Sequence, residues 1–477
     1  MGNTLAENQN IEPLKTKCRL DRIDFVFNAL GICLGLSIFA VLLHGVSTQP
    51  IEYDAAGYWW LAQIASGTDI SNFDSQHLTI LFNFRLLGYP ILIAPFVFLF
   101  ESEHQLRVSV AVFQVVLHLT SVVLFSLVAG KMLSKLRYRI FVVTLCTVPF
   151  PYFLAVEMLA DSISLSFAIL CVAFSINSFT KSRFLTPISS IVIAHLFAGL
   201  AMAIRPDNYG LMIFVTVNGF FVTRKILMST RWRRQSVNFA SLAINTALSI
   251  GGYFICRIPH FIMLYKVSGV RSFSPLSFPP ILPEFEFATG LIKRFTLLPP
   301  NGGQFALRNP FLDESIPPSN IVDWHWYLEE PLKGIGYLLL KTFSLVDWDW
   351  PATYFYEVPT GPNYLTSILG YFIVLSGALG MWSFFKLALT SRNETAMGIS
   401  IAMLLGSIPY MAIKTLTHVE LRYGLGLMMT LSVFAIWWHT QPNRSQIQRI
   451  NTTILILVWM FPFVMLSAWI RQGLLIG

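Results

Sequence analysis

Apolar runs close to the thickness of a bilayer recur along the whole chain, and nothing else limits its fold as strongly. A helix needs about 20 apolar residues to cross the hydrocarbon of a membrane. Runs of that order fall at roughly 25–47, 108–130, 140–156, 158–178, 187–204, 209–223, 236–257, 364–390, 396–413, 423–440 and 451–470. Only 12% of the 477 residues are charged, against about 25% in soluble domains. A membrane β-barrel would instead alternate apolar and polar positions in short segments. The chain therefore reads as an all-α polytopic membrane protein with about eleven transmembrane helices.

The charges set the expected topology. Residues 1–24 end in Lys15, Lys17, Arg19 and Arg22, which places the N-terminus in the cytoplasm. Lys131, Lys135, Arg137 and Arg139, then Lys181 and Arg183, then Arg224, Lys225, Arg231, Arg233 and Arg234 mark later inside loops, and inside segments hold more than half of the 33 Lys and Arg. The net charge of +8 is thus a topological signal and does not call for nucleic acid. Residues 48–107 form a first outside loop. Its apolar stretch 86–100 is too short to cross and opens with Gly88-Tyr89-Pro90, so it reads as an interfacial or re-entrant helix. Residues 258–363 are one long outside insertion rich in Pro, Trp and charge, with 334–346 lying on the membrane surface. Three parts follow: a seven-span module over 1–257, the insertion, and a four-span module over 364–477. The five cysteines are scattered without metal spacing.

The remaining polar groups collect on the outside face. Glu52, Asp54 and Arg85 come from the first loop, Glu157 and Asp161 from the second, Arg205 and Asp207 from a turn. Lys414, His418, Glu420 and Arg422 come from the last outside turn. Ionisable groups near lipid are expensive to keep and usually serve a function. Cations and carboxylates converging at one membrane surface suit a reaction of an anionic lipid: Arg and Lys hold a phosphate, and a carboxylate takes the proton of an attacking hydroxyl. Such a phosphate leaves readily and needs charge stabilisation more than a general acid. Each group also has a plainer reading as a solvated span end or a snorkelling anchor.

The order of these motifs resembles the GT-C superfamily of polytopic glycosyltransferases, in particular the branch of protein O-mannosyltransferases and the lipid A aminoarabinose transferase. Glu52-Tyr53-Asp54 is similar to its acidic first-loop motif in the Glu-x-Asp form. Arg85 to Pro90 is similar to Arg-x-Pro-Gly-Tyr-Pro, with Leu87 in place of the first Pro. Asp161 fits a second acidic residue atop a later span. Gly199 to Pro206 is similar to Gly-x-x-x-x-x-Arg-Pro, and His418 to Tyr423 to His-x-Glu-x-Arg-Tyr. The insertion has no counterpart. The resemblance implies inverting transfer of a sugar from a polyprenyl-phosphate donor to an acceptor glycan, lipid or protein on the non-cytoplasmic side. The eleven spans, the sparse cysteines and the lack of an outside glycosylation sequon suit a bacterial inner membrane. Asp54 would be the general base, supported by Glu52 and Asp161. Arg85, Tyr89, Arg205, His418, Glu420 and Arg422 would hold the lipid phosphate and substrate. Glu52, Asp54 and Asp161 could also bind Mg²⁺ or Mn²⁺ through oxygen, and a metal-free Arg–phosphate route is equally allowed.

Two rival classes stay open at this stage. A secondary transporter or lipid-linked-glycan flippase should carry ionisable groups near mid-membrane, in helices broken by Gly or Pro. Here only His118 and His195 lie mid-span, and a core histidine is the economical account of each. A polysaccharide polymerase or ligase would also use lipid-linked glycans, but the acidic first-loop motif favours the transferase.

Overall fold

The computed structural model describes residues 21–46, 53–67, 86–100, 102–130, 135–179, 185–206, 208–229, 234–269, 271–273, 294–296, 306–308, 328–346, 364–391, 394–416, 425–440 and 446–475. Fifteen helices carry the fold: α1 Arg22–Val46, α2 Tyr53–Ala65, α3 Gly88–Leu99, α4 Glu103–Ala129, α5 Lys135–Thr147, α6 Phe150–Val156, α7 Ala160–Asn177, α8 Pro187–Ile204, α9 Tyr209–Met228, α10 Arg234–Ser268, α11 Pro331–Ser344, α12 Tyr364–Ser391, α13 Glu394–Leu416, α14 Leu425–His439 and α15 Gln446–Leu475. The only strands among the described residues are β1 Arg294–Thr296 and β2 Ala306–Arg308, an antiparallel ribbon pairing Arg294 with Arg308.

Ten of the eleven expected spans fall on one helix each, and 140–156 is divided between α5 and α6. Among the described residues nine helical segments are long and apolar enough to cross a membrane, with α5 and α6 counting together as Tyr138–Val156. The other two expected spans fall on α13 and α14, whose apolar stretches Met397–Ile408 and Gly426–His439 are shorter. The interfacial reading of 86–100 agrees with the 12-residue α3. Ile23, Phe25 and Val41 of α1, Phe239 and Ile255 of α10, and Ile447, Val458, Trp459 and Phe461 of α15 are exposed. Continuous apolar surfaces of this kind belong against lipid, not water. The protein is an integral membrane protein.

The α5–α6 break has a local cause. Pro149 and Pro151 lack the N–H that a continuous helix would use. The Tyr152 hydroxyl compensates by donating to the Cys146 carbonyl. At the end where α1 and α5 begin, Asp24 is 1% exposed and accepts from Arg139 Nε at 2.8 Å, while Arg139 Nη2 reaches Asp21 at 3.2 Å. This cluster pins α1 to α5.

Helix contacts pack α4 on α7, α7 on α8, α8 on α10, α9 on α10 and α13, and α12 on α14. At the α8–α10 crossing, a Cβ on Gly199 would lie 2.8 Å from the carbonyl carbon of Gly252. Small residues there let two backbones meet, the usual solution where lipid removes any hydrophobic drive between helices. Polar side chains fill the same layer. His195 Nδ1 bonds the Ser249 hydroxyl at 2.9 Å, Ser249 pairs with Thr216 at 2.6 Å, and Asn245 donates to Thr223 at 3.1 Å. His195 is thus a satisfied core histidine joining α8, α9 and α10. His118 in α4 is also fully buried, edge-on to Tyr152, with no hydrogen bond at either ring nitrogen among the described residues.

Candidate functional site

The turn between α6 and α7 sets the first functional side chain. Leu159 N–H donates to the Leu154 carbonyl at 2.9 Å and Met158 N–H to Ala155 at 3.1 Å. That double closure ends a helix with one left-handed residue, here Met158 at φ 52°. A non-glycine residue costs about 1 kcal/mol or more there. Burying the Met158 side chain completely offsets it. The chain then re-enters helix at Ala160, with Asp161 in the first turn of α7.

Arg205 follows directly on α8, in extended backbone that ends the helix. Its Nη1 lies 2.9 Å from Asp161 Oδ1 and 3.0 Å from Oδ2. Both side chains are largely buried, at 15% and 7% exposure. Asn208 locks the turn: its Nδ2 donates to Ser164 Oγ at 2.7 Å and to the Ala201 and Arg205 carbonyls at 3.2 Å each. A polar cluster of Asp161, Ser164, Arg205 and Asn208 thus bridges the start of α7 and the end of α8.

The described part of the Arg85–Pro90 string, residues 86–90, meets the end of the Gly199–Pro206 string beside this cluster. Gly88 opens α3 against the end of α8, where a Cβ would overlap the Ala203 carbonyl. Leu87 N–H donates to His260 Nδ1 of α10 at 3.2 Å. Tyr89 is fully buried. Its hydroxyl accepts from Gln114 Nε2 of α4 at 2.8 Å, and its ring meets Tyr58 of α2 edge-on. Burial and the neighbouring Tyr58 hold the Tyr89 phenol well above its ordinary pKa, so it stays neutral. These contacts hold α2, α3 and α4 together. Arg257 of α10, fully buried, donates to the Met202 carbonyl at 2.9 Å, to Phe273 at 3.0 Å and to the Tyr253 hydroxyl at 2.8 Å. It braces α8 three residues before Arg205.

An apolar cavity of about 330 Å³ leads away from Asp161, Arg205 and Asn208. That is within the usual range for small-molecule sites, about 300–1,000 Å³. One stripe of α7 lines it: Asp161, Leu165, Ala168, Val172 and Ile176. These positions span about 22 Å at 1.5 Å per residue. The facing wall comes from α14, from Gly426 through Thr430 and Val433 to Trp437, with Met403 and Gly406 of α13. The cavity therefore has the form of an amphiphile: a charged end and a long apolar body.

Of the other expected site residues, Glu52, Arg85, Asp207, His418, Glu420, Arg422 and the side chain of Asp54 lie outside the described residues. The backbone of Asp54 is in the first turn of α2. Among the described residues no three His, Cys, Asp or Glu side chains group to hold a metal ion, and Asp161 already pairs with a cation. Sequence reasoning missed Ser164, Asn208 and Arg257. Arg257 carried a signal, an arginine at the end of an apolar span. Ser164 and Asn208 carried none. Comparisons with protein-family models, curated proteins and solved structures find no match.

Proposed function

We propose that the protein is a membrane glycosyltransferase of GT-C type that moves a sugar from a polyprenyl-phosphate donor to an acceptor hydroxyl, with inversion. The observation that carries this reading is the apolar cavity along α7 with Arg205 and Asp161 at one end. A prenyl chain matches the apolar body and a phosphate matches the arginine. In the reaction the acceptor oxygen attacks the anomeric carbon and the bond from that carbon to the phosphate oxygen breaks. The electron pair stays on the phosphate, where Arg205, with Arg85 and Arg422, takes up the charge. The acceptor proton passes to a carboxylate, assigned to Asp54. Glu52 and Asp161 orient sugar and acceptor. The active site faces the non-cytoplasmic side, and the insertion 258–363 selects the acceptor.

The test is sugar transfer from a polyprenyl-phosphate donor by purified wild type and Asp54→Asn, with acceptor drawn from a host extract and donor binding recorded for both. Transfer by wild type, with transfer lost and binding kept in the variant, supports the reading. Equal transfer by both removes Asp54 from the chemistry. Movement of intact donor across the bilayer with no transfer would favour a lipid carrier.

A further inference from the structure

We propose that the Asp161–Arg205 pair is an exchangeable latch: a lipid-borne phosphate monoester or diester takes over the Arg205 guanidinium, and the released Asp161 carboxylate turns to the acceptor. The proposal rests on the reading of the cavity as the donor's seat.

Four observations support it. Both members of the pair line the same end of the cavity, so a headgroup whose tail fills the α7 stripe arrives within reach of both. Arg205 Nη1 sits between the two carboxylate oxygens, and the strongest arginine–carboxylate pairs instead use two parallel N–H groups. A phosphate oxygen can therefore offer Arg205 a better partner than Asp161 does. The backbones of the two residues are fixed independently, Asp161 by the closed turn through Met158 and Arg205 by the Asn208 amide. Exchange then needs only a side-chain rotation of arginine, with no helix movement. Finally, Asp161 is largely buried. A desolvated carboxylate left there without its cation needs a new hydrogen-bond donor, and an acceptor hydroxyl supplies one only once donor is in place. The carboxylate is thus unmasked by the substrate itself.

Binding of three probes to the full-length protein in nanodiscs tests the latch: dodecyl phosphate, dodecanol and inorganic phosphate. Asp161→Asn should bind dodecyl phosphate on the order of tenfold more tightly than wild type, because a competing charge-assisted bond is gone, with dodecanol unchanged. Arg205→Gln should lose the preference for dodecyl phosphate over dodecanol. Infrared difference spectra of wild type should show a carboxylate band that shifts as dodecyl phosphate binds, absent in Arg205→Gln; this readout stands if Asp161→Asn does not fold. Equal or weaker phosphate binding by Asp161→Asn, or no carboxylate shift in wild type, overturns the latch and leaves the donor-site reading intact. No binding of dodecyl phosphate to wild type overturns both. Inorganic phosphate binding as tightly as dodecyl phosphate, with the same gain in Asp161→Asn, overturns both a lipid-driven latch and the donor-site reading, and leaves a site for free phosphate.

Discussion

Gly88→Ala isolates the contact that brings the α3 and α8 motifs together. Gly88 does not adopt a left-handed backbone, so alanine is conformationally acceptable and the effect is steric. The added Cβ would overlap the Ala203 carbonyl oxygen and lie 2.6 Å from its carbon and 3.1 Å from Ile204 N. Carbon–carbon contacts settle at about 3.5–4.0 Å, so α3 must back away from α8 by roughly 1 Å. The obstacles are backbone atoms in the last turn before Arg205, which no rotamer change can clear. Overpacking of this kind costs about 1–3 kcal/mol. Displacing a substrate-holding residue by about 1 Å can cost on the order of a hundredfold in rate. The assay pairs a thermal unfolding midpoint in nanodiscs with the rate of sugar transfer. Gly88→Ala should lower both, and Gly88→Ser should behave alike. A variant as stable and as active as wild type would show that α3 need not touch α8 for Arg205 to work.

Other consequences follow from the same geometry. Ala168→Trp places a large ring in the cavity seven residues beyond Asp161. It should abolish use of a long prenyl donor while sparing a one-isoprene donor, read as kcat/KM for each; equal loss of both would detach the cavity from the donor tail. Met158→Gly removes left-handed strain of about 1 kcal/mol but also a fully buried side chain worth more, so a net loss of about 1–3 kcal/mol is expected by denaturant unfolding. Ser249→Ala takes a hydrogen-bond partner from His195 Nδ1 inside the bundle and should destabilise by about 1–2 kcal/mol; an unchanged midpoint would mean the His195 network adds nothing to helix association.

The spans were readable because a bilayer demands length and apolarity together, and all but 140–156, which breaks between α5 and α6, landed on a single helix. Their ends were less readable. The expected stop at Arg257 is overrun by eleven residues to Ser268, because α10 tolerates Pro259 and carbonyls of Met202 and Phe273 satisfy the arginine. Asp161 and Arg205 could each be singled out as polar residues beside apolar runs, but their pairing could not. It depends on two helix ends, 44 residues apart, meeting in space. The cavity was wholly hidden. Its two long walls are α7 and α14, more than 200 residues apart, and away from the Asp161–Arg205 end most lining residues are ordinary apolar core types in their own helices. Asn208 carried no signal in the sequence, yet its amide ties three groups of the site.

The most direct measurement is photolabelling with a polyprenyl-phosphate sugar that carries one reactive group near the phosphate and, in a second probe, one in the tail. The headgroup probe should label peptides around Asp161 and Arg205, and the tail probe should label Val172 on α7 and Val433 on α14. Unlabelled polyprenyl phosphate should compete for both. Labelling confined to the lipid-facing sides of α1 and α15, without competition, would contradict a donor seated between α7 and α14.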